Sequence, residues 1–362
     1  MNSISSACRG EQAHPQKISL SDIFQPVAVE LGLAKDLYRC LLLDSNEKDF
    51  VESLLRLEGD GEDKIKVEIV KHISRHLLQS PGKWIRAALV QLAAGLKNQK
   101  GEPVRQVSIA VELVHLATLV HDDIIDQAAM RRGLQSVPDR WGNSVAVLMG
   151  DLLLSKAYEL LLLSKSIDSQ FHMMRATNHM CLGEIKQLTD NDPAETSQEE
   201  YLQLIEFKTA SLMGAASASG ASLGGLNPDL VENIRLYGYA LGMAFQIVDD
   251  ILDYTTSAAV LGKEQGGDLR NGKATLPLIH FIQHDGAAAR EIFNSTETDA
   301  VKTKRLLEMM NEAGSIEYAY SFAQKYGNLA RENLHTVIEA IGPSACSDSM
   351  LHLIDFVMQR DH

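Results

Sequence analysis

The stretch VRQVSIAVELVHLATLVHDDIID, Val104–Asp126, decides how this chain folds. Val107, Ala110, Val111, Val114, Ala117, Thr118 and Ile124 recur at spacings of three and four, which predicts a long helix over Val104–Ile125. Apolar residues cover most of its circumference, and a helix of that kind belongs at the centre of a bundle rather than on its surface. It ends in Asp122-Asp123-Ile124-Ile125-Asp126. A similar ending appears further on, as Gln246-Ile247-Val248-Asp249-Asp250-Ile251-Leu252-Asp253.

Each segment carries DDxxD in a mostly apolar helix. The first and last aspartates then lie one turn apart on one face, with the middle one about 100° around. Like charges at that spacing repel even in water, and facing a core they need a cation. A solvated acidic helix end is the plain reading of one such motif, and the second copy weakens it. Carboxylates without Cys or His beside them suit a hard, oxygen-loving ion, with Mg²⁺ bridging to substrate phosphates the usual solution. The alternating loop of an EF-hand is absent, which leaves calcium storage without support.

Outward from these two segments the same periodicity predicts helices over Ser144–Ser164, Phe171–Thr189, Gln198–Ser222 and Asp229–Asp253. Strand-like alternation is scarce. Turn chemistry marks breaks at Gly59-Asp60-Gly61, Lys97–Pro103, Arg131–Gly142, Asp190–Pro193 and Asn227-Pro228. The acidic run Asp190–Glu200 reads as a solvated connection and helix start. No Pro-, Gly- or Ser-rich linker divides the chain. The expectation is a flexible polar segment over residues 1–18, then a single all-helical domain over 19–362, an all-α bundle around a central substrate cavity.

Cations follow both acidic clusters. Arg131-Arg132-Gly133 comes directly after the first, and a planar guanidinium matches phosphate oxygens. After the second comes Gly262-Lys263-Glu264-Gln265-Gly266-Gly267, then Lys273, on glycine-rich backbone that lets ammonium groups fold over a polyanion. It is not a Walker loop, which needs GxxxxGK[ST]. Pro81-Gly82-Lys83-Trp84-Ile85-Arg86 opens a helix, where backbone N–H groups favour an anion. Lys208-Thr209 lies in another apolar helix, where the lysine needs a partner or must snorkel to solvent.

The 362 residues are 45% hydrophobic and 23% charged, which suits a globular protein with a large core. A net charge of −14 argues against general nucleic-acid binding but leaves an anionic substrate open, because metal ions can invert the field in one cleft. Cys8, Cys40, Cys181 and Cys346 are scattered, as expected of thiols in a reducing compartment. No apolar segment precedes Cys8 to make a signal peptide, and uninterrupted apolar runs such as Leu160–Leu163 fall short of a membrane span. A cytoplasmic protein without a membrane span is the expectation.

Together these residues resemble the trans-isoprenyl diphosphate synthase family, the polyprenyl synthases, from about Leu20 to the C-terminus. The resemblance implies an enzyme that condenses an allylic diphosphate with isopentenyl diphosphate units, in the long-chain type. It assigns Asp122, Asp123, Asp126, Asp249, Asp250 and Asp253 to three Mg²⁺ and the allylic diphosphate. Lys83, Arg86, His115 and Arg132 match positions for isopentenyl diphosphate. Arg131, Lys208, Thr209, Gln246, Lys263 and Lys273 match those for the allylic diphosphate. The family usually has GGKRxRP, whereas here Pro81 replaces the first Gly, Trp84 the first Arg and Ala87 the Pro. Short-chain members often place an aromatic ring four or five residues before the first motif. Ala117 and Thr118 are small there, Leu113 and Val114 lie a turn further, and a product longer than C20 is implied. The family also implies a homodimer. A terpene cyclase would carry an NSE-type second metal motif in place of the second DDxxD. A silent or partner-dependent subunit of a heteromeric synthase usually loses aspartates, and all six are present here.

Overall fold

The computed structural model describes residues 18–43, 64–80, 82–189, 195–256, 266–270, 273–295 and 298–360. In chain order the helices are α1 Leu20–Ile23, α2 Ala28–Leu43, α3 Lys64–Leu78, α4 Ile85–Gly95, α5 Glu102–Ile125, α6 Val137–Trp141, α7 Asn143–Leu163, α8 Ile167–Thr189 and α9 Gln198–Ile205. A π-turn over Glu206–Ala210 joins α9 to α10 Ser211–Leu223. Then come α11 Pro228–Thr255, α12 Gly267–Arg270, α13 Leu276–His284, α14 Gly286–Asn294, α15 Asp299–Glu312, α16 Ser315–Ile341 and α17 Ala345–Met358. Two-residue strands, β1 Met130–Arg131 and β2 Leu134–Gln135, pair antiparallel with Arg131 opposite Leu134. The fold is therefore all-α.

Local chemistry sets the helix starts. The Asn227 side chain accepts the Leu230 N–H, with Pro228 in the first turn of α11, where its missing N–H costs nothing. Ser197 and Glu200 form a reciprocal capping box on α9. The acidic run thus ends as a helix start, as its sequence predicts; residues 190–194 lie outside the described ones, as does the Gly59-Asp60-Gly61 break.

Helix α5 sits in the core. Val107, Ile109, Ala110, Val111, Val114 and Ala117 are wholly buried, and it packs mainly against α7 and α4. Among the described residues it is the one helix long and apolar enough to cross a membrane, but 67% of its most apolar window is buried inside the bundle. Helix α10, SLMGAASASGASL, is built of small residues and lies between α4, α8 and α11. A wider helix would not fit: a Cβ on Gly220 would stand 2.3 Å from the Val90 carbonyl oxygen.

Two expectations are refined. The span Gln198–Ser222 is helical throughout, and a π-turn widens it at Glu206–Ala210. The segment Arg131–Gly142 is not a plain break but a small hairpin followed by α6. The backbone turns through left-handed positions at Gln127, just before the hairpin, and at Arg132 and Gly133 within it, and His76 Nε2 on α3 meets the Gln135 carbonyl oxygen at 2.7 Å.

Candidate active site

The π-turn is where the two acidic clusters meet. Lys208 Nζ lies 2.9 Å from Glu184 Oε2 on α8, 3.3 Å from Gln187 Oε1 and 3.8 Å from Asp122 Oδ2 on α5. Its neighbour Thr209 donates to Gln246 Oε1 at 2.8 Å, and Gln246 Nε2 donates to Asp250 Oδ1 at 2.9 Å, both on α11. Adjacent residues thus reach one cluster each. The lysine does not snorkel. Burial works against its charge, and Asp122 and Glu184 outweigh it, holding the ammonium above its ordinary pKa.

Glycines make room for that turn. A Cβ on Gly242 of α11 would sit 2.7 Å from Ala210 Cα, and one on Gly183 of α8 would sit 2.8 Å from Phe207 Cβ. Both distances are shorter than real Cβ contacts, so the bulge is gripped between two helices at their narrowest residues.

In the first cluster Asp122 is half-buried, and burial raises its pKa to about 6 against the opposing pull of Lys208. Asp123 is buried, and its Oδ1 takes both Nε and Nη2 of Arg131, at 2.7 and 2.6 Å. Asp126, the C-cap of α5, is exposed. Asp126 faces solvent at the helix end, Asp122 turns toward Lys208, and Asp123 toward the hairpin.

The second cluster divides differently. Asp250 is buried and accepts from the Tyr201 hydroxyl at 2.6 Å as well as from Gln246; burial raises its pKa to about 7. Asp249 is half-exposed and meets Arg360 Nη2 at 2.9 Å. Asp253 accepts the Asp268 N–H at 2.9 Å and so ties the chain after the loop back to α11. Lys273 Nζ lies 3.3 Å from Asp268 Oδ1. Lys263 lies outside the described residues.

The remaining cations gather between α4, α5 and the hairpin. Arg132 Nη1 reaches the Ser80 carbonyl oxygen at 3.4 Å, beside the turn that carries Lys83. Arg86 Nε is buried without a hydrogen-bond partner. His115 is held well below its ordinary pKa by burial and by Arg86, Arg132 and Arg131, so it is neutral here. Burial and the Arg360 charge lower Lys83. The first-turn Ala87 N–H of α4 does not await an external anion: it donates to Glu112 Oε1 at 3.0 Å. Of the residues expected to set chain length, Leu113, Val114 and Ala117 are buried and Thr118 is half-buried, its hydroxyl donating to the His115 carbonyl at 2.8 Å.

Sequence reasoning missed Glu112, Glu184, Tyr201, Asp268 and Arg360. Glu112 stands one helical turn before His115, a signal that was present. Arg360 gave none: it is two residues from the end of the chain, yet its guanidinium stacks 4.4 Å over Phe245, with Nε and Nη1 buried and unpartnered.

Six carboxylates and no sulfur make a donor set for a hard divalent ion. Among the described residues no three His, Cys, Asp or Glu side chains stand close enough to enclose one alone. Carboxylate oxygens suit an ion which keeps waters and takes the rest of its shell from substrate phosphates.

A polyprenyl synthetase family model matches residues 67–312. The chain is 33% identical over 298 residues to the geranylgeranyl diphosphate synthase of Methanosarcina mazei, covering 80% of this chain and 89% of that protein. It is 30% identical over 299 residues to the octaprenyl diphosphate synthase of Escherichia coli, covering 82% and 91%. A polyprenyl synthase from Caulobacter crescentus, solved with calcium and isoprenyl diphosphate, superposes with a TM-score of 0.81 at 29% identity, covering 96% of this chain and all of that one. The chain belongs to the polyprenyl synthetase family of divalent-metal-dependent prenyltransferases.

Proposed function

We propose that this chain condenses an allylic diphosphate with isopentenyl diphosphate units into a trans-polyprenyl diphosphate longer than C20. The observation that carries the reading is the run Asp122–Lys208, Thr209–Gln246–Asp250, in which one dipeptide joins two all-oxygen clusters. Two clusters facing each other across a cation suit a diphosphate held at both ends.

Asp122, Asp123, Asp126, Asp249, Asp250 and Asp253 would hold Mg²⁺, three ions per site. When bound, those ions neutralise the charge that develops on the departing pyrophosphate. Arg131, Lys208, Lys263 and Lys273 bind the allylic diphosphate, and Lys83, Arg86, Arg132 and the neutral His115 bind isopentenyl diphosphate. Arg360 belongs with this second set, because its unpartnered N–H groups are buried beside Lys83. The Thr209 and Gln246 oxygens face the allylic carbon as its bond to oxygen breaks and stabilise the developing cation. The isopentenyl double bond attacks that carbon, and the released pyrophosphate takes the proton whose loss forms the new double bond. No side-chain base is required. The apolar wall of the bundle keeps water from the cation.

The chain grows along α5. Ala117 and Thr118 are small, and Leu113 and Val114 form the next turn, so no aromatic ring stops a product at C15. A homodimer is part of the reading. Val147, Leu148 and Leu162 on α7 and Ile167, Phe171 and Leu182 on α8 are exposed on two helices in contact, an apolar face of the kind that partners cover. The protein is placed in the cytoplasm.

The test is product analysis with purified protein, Mg²⁺, labelled isopentenyl diphosphate and geranyl, farnesyl or geranylgeranyl diphosphate, with the dephosphorylated prenols sized by mass spectrometry. A ladder ending beyond C25 is expected, and Ala117→Phe should shorten it. No incorporation with any starter by folded protein would overturn the reading in favour of a partner-dependent subunit.

A further inference from the structure

Glu112 is a buried carboxylate set among the cations of an anion site. It is 8% exposed and lies on α5, one turn before His115. Burial raises its pKa, while Arg86, the Ala87 N–H, Arg132 and Lys35 all favour its charged form. Its one hydrogen bond goes to the third residue of α4. That end of α4 has no cap of its own, because Trp84 occupies the N-cap in a left-handed conformation and its side chain accepts nothing. The first N–H groups of a helix need an acceptor, and a carboxylate also suits the positive end of the helix dipole. Trp84 is held from the other side, edge-on to Tyr38 with ring centroids 5.0 Å apart and under Lys35 Nζ at 5.6 Å. The family's arginine at this position is absent, and the turn between Lys83 and Arg86 is anchored by an aromatic side chain and by Glu112 instead.

We propose, on the reading of the site given above, that Glu112 is a positioning residue for isopentenyl diphosphate. It caps α4 from α5, locks the turn bearing Lys83 and Arg86, and supplies the countercharge beside the Arg86 guanidinium, whose Nε is buried without a hydrogen-bond partner. It touches no substrate itself. Its reach centres on one substrate, because it anchors the turn that bears Lys83 and Arg86, whereas Lys208 stands on the π-turn and Lys273 beyond α11.

A double-mutant cycle tests this. Glu112→Gln keeps an acceptor for the Ala87 N–H and removes the charge; Arg86→Gln removes the cation; the third protein carries both. KM for each substrate, kcat and Tm are measured on all three. Glu112→Gln is expected to raise KM for isopentenyl diphosphate about tenfold and leave KM for farnesyl diphosphate within about twofold, and the double variant should match Arg86→Gln alone, as coupled neighbours do. An unchanged KM for isopentenyl diphosphate, additive effects, or both KM values rising together with a fall in Tm would each overturn the proposal. Should Glu112→Gln not fold, Glu112→Asp, which keeps the charge and shortens the reach, is read by the same criteria. A wild-type protein that incorporates nothing breaks the prenyl-transfer reading; normal wild-type turnover with an indifferent Glu112→Gln breaks only this one.

Discussion

The two DDxxD segments match at their acidic positions and sit in different surroundings. At the end of α5, Asp122 and Asp123 face cations, Lys208 and Arg131. Within α11, Asp250 is buried against neutral donors, the Tyr201 hydroxyl and the Gln246 amide, while its neighbour Asp249 meets a cation, Arg360. On the proposed function, a carboxylate paired with a side-chain cation exchanges that partner for a metal ion. One held by two neutral donors in the interior is fixed in direction and resists ionisation until metal arrives. The first cluster is thus the adaptable half of the site and the second the rigid half. Identical spacing does not mean identical work.

The largest effect that tests this difference is expected at Asp122. Asp122→Asn should lower kcat by about a thousandfold, the scale on which preorganised charge stabilisation is lost, with little change in Tm. Steady-state kinetics and thermal unfolding on one preparation decide it, and a loss below about tenfold would mean the first cluster does not lead. Tyr201→Phe comes next. It strips a donor from buried Asp250 and should cost about 1–3 kcal/mol of stability, read by denaturant unfolding. It should also push the pH at which metal binds upward, because the lost hydrogen bond favours the ionised carboxylate.

The pH dependence of the metal-free protein is smaller. Asp122 and Asp250 titrate near 6 and 7 when folded and near 3.8 in the unfolded chain. Between about pH 4 and 7 the native state therefore holds protons the unfolded state has released, and these two groups make stability fall as pH rises through that window. Chelator-treated protein should show this slope in Tm, and Asp250→Asn should flatten the upper half of it. An unchanged slope would place Asp250 in a more solvated setting than the hydroxyl and amide provide. The smallest effect is at Arg360. Arg360→Gln should raise KM for isopentenyl diphosphate about threefold to tenfold, the scale of a single hydrogen bond, with kcat held. A change in metal affinity without a change in that KM would assign Arg360 to Asp249 alone.

Much of this was legible in the residues. The helix Val104–Ile125 and its DDxxD ending follow from periodicity, and the observed α5 extends the expected span by two residues at its start, where Pro103 fits the first turn. The span Asp229–Asp253 was equally plain. The π-turn was not, because Glu206–Ala210 carries no Pro or Gly and its local pattern suits an ordinary helix; the wedge at Ala210 and Phe207 comes from glycines on α11 and α8. Tyr201 was invisible for a related reason. It lies 49 residues from Asp250, and nothing in its local pattern names that partner.

By itself the sequence determined that the chain forms long apolar helices, that two of them carry aspartates where a core would reject unpaired charge, and that cations follow each. Those are consequences of spacing, which local geometry converts directly into faces. Only the tertiary structure decided which aspartate is buried and which is free to exchange partners, that Lys208 and Thr209 divide between the clusters, and that Arg360 returns from the chain's end to meet them. These depend on which helices pack together, and burial and charge pairing between distant residues exist only once they do.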